Sequence, residues 1–171
     1  ASIHREENLD IKDNFKNIIC GIDKVSKLYG FPVIFSTHPR TRKKIESLNI
    51  NINSIQFINP LGFFDYVRLQ SKALITLSDS GTISEESAMM GFPAVSVRTS
   101  TERPEAIDYG SIVLGNSDED SIVQSVKIAI GTFATEKIET PIQYQALDVS
   151  SRIIRVIQCY TTVVKREIWN Q

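Results

Sequence analysis

Short apolar runs of about five residues alternate with helix-periodic segments along most of this chain. The runs cover 32–36, 54–58, 73–77, 93–97 and 111–114. Between them, Phe15, Ile18, Ile19, Ile22, Val25 and Leu28 recur at helical spacing, so a helix is predicted over 14–29, stopped by Gly30. Further helices are predicted over 40–48, 62–70 (apolar at Phe63, Phe64, Val67 and Leu69), 83–90 and 118–129. A short one starts at Pro104 and ends at Gly110, and a long final helix runs over about 148–169. Strands of this length separated by helices predict an α/β fold: a doubly wound parallel sheet with right-handed crossovers and helices on both faces. Ligands of such sheets bind beyond the carboxyl ends of the strands.

His4 arrives with only three residues before it. The first strand of a doubly wound sheet is usually central, and here it is almost missing. The chain therefore reads as the back half of a longer protein, with residues 1–171 forming one nucleotide-binding domain.

The 171 residues suffice for a core without covalent staples. A net charge of −1 argues against a nucleic-acid partner, so any phosphate site must be local. No apolar run has the length of a membrane span, and Cys20 and Cys159 lack metal or redox spacing. With two histidines in all, no metal site is expected, and a reducing cytoplasm is the simplest location.

The segment Ser78-Asp79-Ser80-Gly81-Thr82 joins a predicted strand to a predicted helix. Backbone N–H groups and the helix dipole converge at such a turn and attract phosphate. Gly81 allows close backbone approach, and Ser80 adds a hydroxyl. Glu86 shares a helix face with Thr82 and can accept hydrogen bonds from vicinal sugar hydroxyls. Phosphate at the turn and sugar at the carboxylate spell a nucleotide or nucleotide sugar. Read only locally, Asp79 or Ser80 would be a helix cap, with Glu85 and Glu86 favouring the dipole.

The next strand end carries Arg98 and Arg103, whose planar forks suit phosphate oxygens. The bland alternative pairs Arg103 with Glu102 or Glu105. His4 and Arg5 sit at the end of the shortened first strand, and His38 precedes Pro39 and Arg40 at another. An aromatic of Phe63, Phe64 and Tyr66 could stack on a base, although helical spacing favours a core role.

Five motifs, taken in order, resemble the non-hydrolysing UDP-N-acetylglucosamine 2-epimerases. They are His4-Arg5-Glu6-Glu7-Asn8, His38-Pro39-Arg40, Pro60-Leu61, Ser78 to Gly81 with Glu85-Glu86, and Thr101-Glu102-Arg103-Pro104-Glu105. The resemblance spans nearly the whole chain but only the carboxyl-terminal half of that family's enzyme. It implies a Rossmann-like, glycosyltransferase-B-like architecture of which this is the UDP-binding half. Ser80, Gly81 and Thr82 would hold the diphosphate and Glu86 the ribose. His4 and Arg103 would act on the departing pyrophosphate, with Arg5, His38 and Arg98 as further UDP contacts. A residue of the 60–64 loop would meet the uracil. The implied partners are a UDP-sugar, the amino-terminal domain of the same enzyme and a second copy in a homodimer. No cofactor is implied.

Two departures from the family pattern stand out. Thr82 replaces a usual second glycine, and Glu6 stands where a second arginine is common. Both resemble the branch that inverts C2 of a UDP-2-acetamido-2,6-dideoxy sugar for capsule or O-antigen. A glycosyltransferase donor domain and a non-catalytic sugar-nucleotide sensor are the alternatives. The proton-transfer carboxylates would lie mostly in the amino-terminal half, so this half alone is expected to bind UDP weakly and not to turn over.

Overall fold

Residues 1 and 2 run along the middle of the sheet. The computed structural model describes residues 1–11 and 13–169. It divides into two units, Ala1–Pro141 and Ile142–Gln171.

In the first unit, α1 (Glu6–Leu9) and α2 (Asn14–Tyr29) precede β1 (Val33–Ser36) and α3 (Pro39–Ser47). Then come β2 (Ile55–Ile58), α4 (Phe63–Lys72), β3 (Thr76–Ser78) and α5 (Ile83–Met90). The unit closes with β4 (Ala94–Val97), α6 (Pro104–Asp108), β5 (Ile112–Gly115) and α7 (Glu119–Thr135).

All strand pairs are parallel: β1 with β2, and β3 with β4 with β5. Residues 1–2 join the two sets. The Ala1 amine donates to Ile34 O at 2.7 Å, and Ser36 N donates to Ala1 O at 2.9 Å. On the other side Ser2 N donates to Leu77 O at 2.9 Å and Asp79 N to Ser2 O at 3.3 Å. The lateral order is therefore β2, β1, residues 1–2, β3, β4, β5. Chain order reverses beside residues 1–2, and the crevice at such a switch is where doubly wound folds bind ligands.

The main core lies where α2 and α7 pack over one face. Phe15, Ile18, Ile19 and Ile22 of α2 meet Ile122 and Val126 of α7 above Phe35, Leu77, Val95 and Val97. Gly21 lets these helices close: a Cβ there would stand 3.1 Å from Ile122 Cβ. By crossover handedness, α5 lies on the opposite face, where it packs on β4 and buries Ile83 and Ala88.

Two expectations are corrected. The third apolar run was predicted as a strand over 73–77, but the ladder begins at Thr76, whose N–H bonds Pro93 O. Ala73 and Leu74 precede any partner and stay exposed. In α4 the predicted apolar side is not the inner one. Phe63 and Phe64 are 71% and 85% exposed, their rings 5.5 Å apart, while Gln70 is buried. Helical spacing gives a stripe, and neighbours decide which stripe is covered.

The second unit holds a short 3-10 turn (Ile142–Tyr144) and α8 (Val149–Glu167). Helix α8 is amphipathic, with Ile153, Ile157 and Tyr160 among its exposed apolar residues.

Candidate functional site

The site grows from the turn between β3 and α5. Ser78 Oγ accepts Ser80 N at 3.1 Å, which folds the turn back on the strand end. Ser80 Oγ and Thr82 Oγ1 are 3.0 Å apart. Thr82 Oγ1 donates to Glu86 Oε1 at 2.8 Å, the one-turn pairing that the spacing implied. The second oxygen of Glu86 accepts Gln70 Nε2 from α4 at 2.6 Å. Thr82 itself is the residue flanking α5, with no side-chain cap bond, so neither Asp79 nor Ser80 caps the helix.

A cavity of about 240 Å³ opens at this edge, lined by Ser2, His4, Ser36, Leu61, Tyr66, Ser80, Thr82 and Glu86. Four predicted site residues, His4, Ser80, Thr82 and Glu86, thus share one wall set. The Tyr66 phenol reaches the hydroxyls of Ser2 and Ser78, and burial, then the nearby Glu86 charge, hold its proton on above the usual tyrosine range. A larger groove of about 550 Å³ adjoins it through Leu61, Tyr66 and Ser36. That groove is walled mainly by apolar residues such as Phe31, Val33, Ile34 and Leu74, so the polar chemistry sits in the smaller space.

Gly81 faces Arg103. A Cβ on Gly81 would lie 3.0 Å from Arg103 Nη1, so the guanidinium rests directly against the turn. Arg103 Nε donates to Glu85 Oε1, and Nη1 stands 3.8 Å from Glu102 Oε2. Glu85, across 18 residues, was not among the partners that local sequence suggested.

Arg5, His38 and Arg98 lie outside the cavity lining. Arg5 Nε donates to Glu7 at 2.9 Å. His38 is exposed, flanks α3 and accepts Arg40 N at 3.3 Å, and its ring centroid is 6.1 Å from that of His4. Arg98 is buried and forks onto Glu102 at 2.8 and 3.0 Å. That fork holds the Glu102 carboxyl down at about 2.

Sequence reasoning missed the residues that brace the site: Asp79 as a tether, Asn8, Gln70 and Glu85. Their contacts join segments 16 to 89 residues apart, which no local pattern reports. Among the described residues no group of His, Cys, Asp and Glu could hold a metal ion, and no helix is long and apolar enough to cross a membrane.

A parallel sheet in this order, with a glycine turn, an arginine and a carboxylate at its switch point, defines a Rossmann-like half of the glycosyltransferase-B-like class. The chain belongs to the UDP-N-acetylglucosamine 2-epimerase family, whose sequence profile matches residues 1–158. It is 33% identical over 134 residues to the UDP-N-acetylglucosamine 2-epimerase of Methanocaldococcus jannaschii, which covers 75% of this chain and 37% of that protein. It is 32% identical over 131 residues to the UDP-2,3-diacetamido-2,3-dideoxy-D-glucuronate 2-epimerase of Pseudomonas aeruginosa, covering 77% of this chain and 36% of that protein. The crystal structure of the M. jannaschii UDP-GlcNAc 2-epimerase in complex with UDP-GlcNAc and UDP superimposes with a TM-score of 0.81 at 30% identity. That match covers 92% of this chain and 44% of the other. The chain thus spans less than half the length of these relatives.

Proposed function

We propose that this chain is the UDP-binding half of a non-hydrolysing UDP-N-acetylglucosamine 2-epimerase. The observation that carries the reading is the convergence of His4, Ser80, Thr82 and Glu86 on one cavity, with Arg103 laid against Gly81 beside it. In this reading the turn at Ser80, Gly81 and Thr82 receives the diphosphate on backbone N–H groups and hydroxyls. Glu86 takes the ribose hydroxyls, and a residue of the 60–64 loop meets the uracil.

The reaction inverts C2 of a UDP-2-acetamido sugar. A base removes the C2 proton, the C1–O bond breaks, and its electron pair leaves on the UDP oxygen, giving a 2-acetamidoglycal. UDP then adds back to C1 while C2 is protonated on the other face. Negative charge grows on the diphosphate as the bond breaks. Arg103, His4 and the turn at the start of α5 meet that charge with donors fixed in advance. The carboxylates that move the C2 proton lie mostly in the amino-terminal half, and the complete protein works as a cytoplasmic homodimer.

Thr82 favours one version of the substrate. Its hydroxyl lines the cavity between Ser80 and Glu86, where the family more often has glycine. This suits the branch acting on a UDP-2-acetamido-2,6-dideoxy sugar.

The test is to supply the complete protein with UDP-N-acetylglucosamine and with its 6-deoxy counterpart in heavy water. Deuterium entering at C2 of either sugar is the expected result. No exchange with either, and no trapped glycal, overturns the proposal in favour of a glycosyltransferase or sensor.

A further inference from the structure

Asp79 is fully buried, yet no lysine or arginine pairs with it among the described residues. Its carboxylate is satisfied instead by N–H donors from the opening of the chain. Both oxygens accept His4 N at 3.0 Å, and Oδ2 also accepts Arg5 N at 2.9 Å and Asn8 Nδ2 at 3.0 Å. Asn8 Nδ2 in turn donates to Val97 O at 3.0 Å, which ties the arrangement to the end of β4. The main-chain donors alone would anchor the segment. The carboxylate does one thing more: Oδ1 lies 3.2 Å from Nδ1 of the His4 ring.

We infer that Asp79 is a positioning residue that sets the tautomer and orientation of His4. An unprotonated Nδ1 would put its lone pair against the carboxylate oxygen, whereas Nδ1–H makes a favourable contact. With Nδ1 committed to Asp79, Nε2 is the ring nitrogen left to address the cavity that His4 lines with Ser80 and Glu86. The ring stays 40% exposed and reachable, while its partner is wholly enclosed. A carboxylate that holds an imidazole in one tautomer is an arrangement in which geometry, not extra charge at the ligand, supplies the benefit. The same side chain is covalently one residue from Ser80, so the His4 ring and the phosphate turn are held to a common reference. The inference rests on the proposed function for the importance of His4, but its central claim concerns the ring alone.

The experiment uses the complete protein with ¹⁵N-labelled histidine, the His4 signals being assigned by their loss in His4→Gln. At a pH where the ring is uncharged, ligand-free protein should show His4 mainly as the Nδ1–H tautomer. A predominant Nε2–H form in the unsubstituted protein overturns the inference, whatever the variants do. Asp79→Asn should move the ring toward Nε2–H and lower kcat by about tenfold or more, with KM for the UDP-sugar changed much less. In a His4→Gln background the same substitution should cost less than about twofold, because its effect passes through His4. Full additivity of the two losses assigns Asp79 a merely structural part and also overturns the inference. Absence of UDP binding by the complete protein would strike the proposed function, yet leave the tautomer result standing, so the two failures are distinguishable. If Asp79→Asn does not fold, the tautomer of the unsubstituted protein still decides.

Discussion

The guanidinium of Arg103 lies against the one residue of the β3–α5 turn that has no side chain, Gly81. A methyl group added there meets the far end of a flexible side chain, not backbone. Gly81→Ala should therefore leave the melting temperature nearly unchanged while displacing Arg103. UDP affinity in the complete protein should fall by about tenfold, close to 1.4 kcal/mol. Arg103→Ala should cost a similar amount, about 1–3 kcal/mol for a lost charged hydrogen bond. Titration calorimetry with unaltered affinity in both variants would remove the turn from the phosphate site.

Glu86 is held by Gln70 and Thr82 on its two oxygens, and among the described residues no lysine or arginine pairs with this carboxylate at the cavity wall. An unpaired anion there is a poor neighbour for phosphate and a good acceptor for hydroxyls. Glu86→Gln should weaken UDP binding more than pyrophosphate binding. Equal losses for the two ligands would mean that the ribose assignment is wrong.

Gly21→Ala tests the core independently of the site. Its Cβ would stand 3.1 Å from Ile122 Cβ, and helices α2 and α7 would have to part slightly. The expected destabilisation is about 1–3 kcal/mol by urea unfolding, with UDP affinity unaffected. A variant as stable as the parent would show that this helix pair tolerates wider spacing.

Glu102 carries the pH prediction. Its carboxyl is held at about 2 by hydrogen bonds from Arg98, below the 4.5 of an unperturbed glutamate. A lowered folded-state value means the unfolded chain takes up the proton more readily. The Arg98–Glu102 contribution is therefore present above about pH 4.5 and fades as pH falls toward 2. The urea midpoints of the parent and Glu102→Gln should differ most near neutrality and converge in acid. A constant gap from about pH 6 to about pH 3 would contradict this account.

What the sequence made legible was periodic or adjacent. Alternating strand and helix signals were enough for the parallel sheet and for the end of it where His4, Ser80, Thr82 and Glu86 come together. Thr82 and Glu86 could be placed on one face because four residues make about one turn. The misjudged features depend on partners distant in the chain. Phe63 and Phe64 belong to a helix-periodic apolar set with Val67 and Leu69, yet among the described residues nothing covers them. Asp79, which with Ser80 a purely local reading offers as a helix cap, instead serves a segment about 75 residues earlier. Arg103 bonds Glu85 from another helix in addition to standing 3.8 Å from its sequence neighbour Glu102.

Arg103 sits in a row of alternating charges. Glu7, Arg98, Glu102, Arg103 and Glu85 follow one another at ion-pair range. In the proposed site an arriving diphosphate would compete with these resident carboxylates for the guanidinium. In the proposed reaction UDP has to be released from the sugar and recaptured in every turnover. A fork that can swing its allegiance between carboxylate and phosphate suits such traffic better than an arginine with nothing else to hold.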